Sequence, residues 1–121
     1  MTSAFKIRQD QLDAFFFHDL LEHVRHCLPD QYQALGENGT MQAVQYGASR
    51  ARTHGIVSNP GMRAYVQVMF VLGPDFDTDP KLPWVRPALA QPTELERIRT
   101  LVAGTETHLR QTIAGMNGML S

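Results

Sequence analysis

His18, Glu22 and His26 follow one another at intervals of four residues. On a helix that interval stacks three side chains along one face, and imidazole, carboxylate and imidazole together could grip a divalent metal and activate a water. The pattern goes no further, because the chain has no HExxH motif, no pair of CxxC motifs and no fourth ligand near these three. An exposed polar face lying opposite an apolar stripe accounts equally well for the same residues. A metal-dependent enzyme is therefore the least favoured of the functional readings.

Asp75, Asp77 and Asp79 alternate like the opening of a calcium loop, in which successive carboxylates converge on one hard cation. The sixth position of such a loop needs glycine for its sharp turn and holds Pro80 here. The twelfth needs a bidentate glutamate and holds Arg86. A turn whose aspartates accept hydrogen bonds from backbone N–H groups fits this stretch better.

Cys27 is the only cysteine, which excludes an internal disulfide and fits a reducing compartment. Its position on the apolar side of the first helical segment predicts a small buried residue rather than a nucleophile. Glu94 and Glu96 stand two apart, so on a helix they point different ways and favour its N-terminus rather than share a substrate. With no GxSxG elbow and no glycine-rich phosphate loop in the sequence, no catalytic residue, metal site or cofactor is expected.

These residues need elements to hold them. A chain of 121 residues with 43% apolar and 19% charged composition has enough hydrophobic material for one core, and a single domain spanning residues 1–121 is expected. Eleven Lys and Arg against twelve Asp and Glu leave a net charge of -1 without a basic block, so nucleic acid is not an expected partner. No apolar run reaches the roughly 20 residues that cross a bilayer, and the first seventeen residues lack the pattern of a cleaved signal. A cytoplasmic protein with no membrane partner is expected.

The periodicity is helical throughout. Leu12, Phe16, Leu20, Val24 and Cys27 form one stripe, which Pro29 ends. Asp30 to Leu35 suit a short turn closed by Gly36, with Glu37-Asn38-Gly39 as a surface turn before a second helix from about Thr40. Met41, Val44, Ala48 and Ala51 form that helix's stripe, with Arg50 and Arg52 outward, and Gly55-Ile56 reads as its C-terminal signature. Ser58-Asn59-Pro60 predicts a capped third helix with proline at its first position. From Met62 to Leu72 this helix is apolar on nearly every side and should be the most buried, with Met62 and Met69 as core fillers.

Between Gly73 and Trp84 the chain is too rich in proline for regular structure, yet Phe76, Leu82 and Trp84 need cover from water. This predicts an ordered loop, followed by a short turn from Trp84 to Ala90. Thr93 and Glu96 form a capping box for a last helix, whose stripe runs Leu95, Ile98, Val102, Thr105, Leu109, Ile113, Met116 and Leu120. The expected fold class is all-α, a compact bundle of about four main helices with an ordered Pro/Asp-rich loop between the third and the last.

Gly55, Ile56, Tyr65, Met69, Phe70, Leu72, Gly73, Phe76, Asp77, Asp79, Pro80, Leu82, Pro83 and Trp84, preceded by Ile7-Arg8 and Gln11-Leu12, form a pattern that resembles small helical accessory proteins encoded beside type VI secretion toxins and their adaptor chaperones. Val68 stands where that pattern usually has leucine. The resemblance implies a non-enzymatic, protein-binding co-chaperone that helps an adaptor chaperone load a toxin, with PAAR or VgrG spike components nearby. It brings no catalytic residue. The matched positions are expected to fix the Gly73–Trp84 loop against the third helix, and the loop could also present a partner surface. An immunity protein that neutralises a cognate toxin is the alternative reading. The long last helix, with Met119 near its end, could pair with a partner protein or with a second copy.

Overall fold

A computed structural model describes residues 9–120, with side chains from residue 17 to residue 115. The described residues are all-α. The helices are α1 (Gln9–Cys27), α2 (Pro29–Thr53), α3 (Asn59–Leu72), the short α4 (Val85–Leu89) and α5 (Glu94–Leu120), with one 3-10 turn at Phe76–Thr78 between α3 and α4. None of them is long and apolar enough to cross a membrane. The chain divides into two compact units between Tyr46 and Gly47.

In the first unit α1 ends where proline dictates. The Leu28 N–H still bonds to the Val24 carbonyl at 2.7 Å, but Pro29 has no N–H to offer and opens α2 as its first residue. Leu20 and Val24 are fully buried, whereas Leu12 and Phe16 of the same stripe lie outside the described side chains. Cys27 departs from expectation. It is exposed, its Sγ 3.7 Å from His23 Nδ1, in a last turn of α1 whose residues 25–27 are all left uncovered.

The second correction concerns Gly36 to Thr40. Residues 37–39 are helical rather than a surface turn, and α2 continues through them with a break only at Gly36. There φ is 73° and ψ 174°, a conformation essentially confined to glycine. The single residue supplies the whole change of direction, so no additional turn residues are needed. Thr40, expected near the helix start, lies inside α2 and is fully buried.

In the second unit the end of α2 is a Schellman motif. Gly55 has φ 71°, its N–H bonds to the Arg52 carbonyl and the Ile56 N–H to the Ala51 carbonyl, both at 3.0 Å. Ile56 is then folded back and fully buried. Ser58 caps α3 by accepting from the Gly61 N–H at 3.1 Å. Asn59 rather than Pro60 is the first helical residue; Pro60 follows it in the first turn, where a missing N–H is equally harmless.

α3 buries Met62, Tyr65, Val66, Val68 and Met69, each large side chain contributing about 1.5–3 kcal/mol by leaving water. It is not apolar-packed all round, since Val71 remains 40% exposed. α5 packs against both α3 and α4. Thr93 Oγ1 accepts from the Glu96 N–H at 3.2 Å, the hydroxyl half of a capping box. The seating of α5 also differs from its predicted stripe. Leu101 and Thr105 are buried, while Leu95, Leu109 and Ile113 stand in solvent. Met116 and Leu120, like Met119, lie beyond the described side chains.

Candidate protein-binding surface

The segment from Gly73 to Trp84 is built from inside outward. Gly73, at φ 111°, donates its N–H to the Met69 carbonyl and turns the chain off α3. Phe76 is then driven into the core, its ring 4.9 Å from that of Tyr65, which in turn lies 6.2 Å from the His54 imidazole. Leu82 is buried beside them in the sequence of the loop. Trp84 is half-buried over Gly104, where any β-carbon would lie 2.5 Å from the indole.

Asp77 clamps the loop electrostatically. Its side chain is completely buried, and Oδ2 accepts from Arg50 Nε at 2.9 Å, from Arg50 Nη2, and from His54 Nε2 at 2.9 Å. A carboxylate only accepts, so His54 must carry its proton on Nε2. Burial alone pushes the Asp77 carboxyl up, but the hydrogen bonds from His54 and Arg50, reinforced by the Arg50 charge, outweigh it and hold the group below its ordinary value. Oδ1 is buried without a hydrogen-bond partner among the described residues. Three donors on one oxygen beside a permanent cation make this carboxylate an anchor and a poor proton acceptor.

Arg50 therefore does not point outward as its place on the stripe suggested; it reaches back to the loop. Neither Arg50 nor His54 stood out in the sequence. Their interval of four, which places a guanidinium and an imidazole on one helix face, was the available signal. Asp79 accepts from the Lys81 N–H through Oδ1 at 2.9 Å, the backbone role expected of it.

Of the other matched positions, Ile56, Tyr65 and Met69 are buried, Phe70 and Leu72 half-buried, and Gly55, Pro80 and Pro83 exposed. The loop thus has two sides. Its inner side chains are packed, and Pro74, Asp75, Thr78, Pro80, Lys81 and Pro83 face solvent on a backbone that those contacts hold. Comparison with protein-family models, curated proteins and solved structures found no match for this chain.

A second anchor holds the turn before α3 to the start of α5. Glu94 Oε1 accepts from the Val57 N–H and from the Ser58 N–H, the latter at 2.8 Å. These backbone hydrogen bonds draw the Glu94 carboxyl below its ordinary value. Arg97 completes the tie, donating through Nε to the Gln91 carbonyl at 2.7 Å and through Nη2 to the Pro92 carbonyl at 3.2 Å. Glu94 thus does more than favour a helix N-terminus, because two backbone N–H groups that would otherwise go unpaired at the α2–α3 turn end on its carboxylate.

Beside the loop runs an apolar furrow between α3 and α5, floored by Val68 and Thr105 and edged by Val71, Val102 and Leu109. Among the described residues no group of three or more His, Cys, Asp or Glu is arranged to hold a metal ion. In the His18–Glu22–His26 set, His26 lies 3.7 Å from one Glu22 oxygen, and Arg25 lies 3.4 Å from the other.

Proposed function

We propose that this chain is a non-enzymatic protein-binding factor of type VI secretion, a co-chaperone that helps an adaptor chaperone hold a toxin for loading, with PAAR or VgrG components as further partners. The observation that supports the reading is the two-sided loop. Asp77, clamped by Arg50 and His54, leaves Thr78, Pro80 and Lys81 outward on a backbone already ordered. A surface ordered in advance loses less conformational entropy on binding than a mobile one. The motif that carries the resemblance to type VI accessory proteins is the same segment, and a cytoplasmic site of action belongs to the reading.

Co-expression of the tagged chain with its neighbouring gene products tests it. An adaptor or toxin should co-purify, and Pro80→Ala with Lys81→Glu should reduce its retention while the fold is kept. Asp77→Ala should do so through loss of loop order, visible as faster amide exchange from residue 75 to residue 82. Retention of none of these products would remove the reading. Deletion of the gene separates it from the immunity alternative: poorer toxin delivery follows from lost loading, sensitivity to sibling cells from lost immunity.

A further inference from the structure

The part of α5 that stays out of the core has a seven-residue rhythm. Leu95, Val102 and Leu109 stand seven apart, and Arg99, Glu106 and Ile113 each follow one of them by four. Alternating steps of four and three are the repeat with which one helix lies along another. Leu95 is 57% exposed, Ile113 56% and Leu109 38%; Val102 is half-buried, and Arg99 and Glu106 are exposed. Leu101 and Thr105 are the described residues of α5 that are buried, while Val102 and Leu109 of this row edge the furrow to α3. No ion pair among the described residues engages Arg99 or Glu106.

The two charges select the occupant. A parallel, in-register copy would set Arg99 against Arg99 and Glu106 against Glu106, like charges on a desolvated seam. An antiparallel copy with its two-fold axis near Gly104 sets Leu95 over the partner's Ile113 and the stem of Arg99 over the partner's Leu109. It also brings the guanidinium within reach of the partner's Glu106, and symmetry makes every contact twice. We propose that this row of α5 is a homodimer seam on which a second copy of the chain lies antiparallel, closed by reciprocal Arg99–Glu106 pairs. From Leu95 to Ile113 the seam is about 27 Å long at the helical rise. A seam confined to one helix pair is small beside a standard interface, so a weak dimer is expected. The inference does not rest on the secretion reading.

Sedimentation equilibrium of the full chain across the micromolar range tests it. The wild type should dimerise. Arg99→Glu and Glu106→Arg should each raise the dissociation constant about tenfold or more, since each reverses two pairs. Mixing the two variants should restore wild-type affinity, because one seam then offers two glutamates and the other two arginines, while circular dichroism stays unchanged throughout. A wild type monomeric over the whole range, a dimer insensitive to both reversals, or a mixture no tighter than either variant alone would overturn the proposal. Orientation is read separately after Cys27→Ser. Leu95→Cys should form a disulfide with Ile113→Cys when the two are mixed, and ready cross-linking of Leu95→Cys to itself would show a parallel pair and overturn the antiparallel seam.

Discussion

At Gly104 a hydrogen atom occupies the space that any other residue would fill with carbon. A β-carbon there would lie 2.5 Å from the Trp84 ring, which is rigid and half-buried. At Gly47 a β-carbon would come 2.9 Å from Sδ of Met69, the far end of a flexible side chain. The two positions therefore separate steric cost from helix propensity. Gly104→Ala should destabilise by about 1–3 kcal/mol, as overpacking does, despite the better helix former. Gly47→Ala should cost distinctly less, because the thioether can swing aside. Urea unfolding of both variants checks the contrast, and equal losses would mean that Trp84 yields as easily as Met69. Neither contact was legible in the sequence, since Trp84 and Gly104 meet only when the loop folds onto α5.

Among the elements, those with local signals were readable and those set by packing were not. The Schellman turn at Gly55-Ile56, the Ser58 cap and the Thr93 cap each depend on residues within five positions of one another, and each forms. The break in α2 was placed correctly at Gly36 but given too many residues, because Glu37-Asn38-Gly39 has turn composition while one glycine can supply the entire bend. Gly36→Ala tests how that bend is held. No side chain obstructs a β-carbon at Gly36, yet its φ and ψ are costly for alanine. Loss of about 1–3 kcal/mol in chemical unfolding is expected if the bend persists. Raised helicity by circular dichroism without that loss would show α2 straightening instead. In α5 the stripe read from periodicity was displaced by about a quarter turn from the buried face. It omitted Leu101, which is completely buried, and included Leu95 and Ile113, which are not. An apolar row wider than one contact offers more than one way to seat the helix, and the facing helices choose among them.

For the molecule as a whole, acid is the condition under which the two anchors should fail. Asp77 and Glu94 are held below their ordinary values of 3.8 and 4.5. Each binds a proton more readily in the unfolded chain than in the folded one. Their stabilisation is therefore complete above those ordinary values and lost as pH falls through the lower, folded ones. Urea midpoints measured from pH 7 down to pH 3 should stay level on account of these groups until about pH 5 and then fall. Asp77→Asn with Glu94→Gln should flatten the acid limb, and an unchanged slope would show that other carboxyls govern it. By itself the sequence determined that the chain is helical and where most helices begin and end, because periodicity, caps and prolines act over a few residues. It also singled out the Gly73–Trp84 loop as ordered, since bulky apolar side chains there require cover. Only the tertiary structure decided that Arg50 and His54 close on Asp77, that Glu94 reaches the turn before α3, and which side of α5 is left in solvent. Those outcomes join residues more than twenty positions apart, and no local preference of the chain encodes which distant groups will meet.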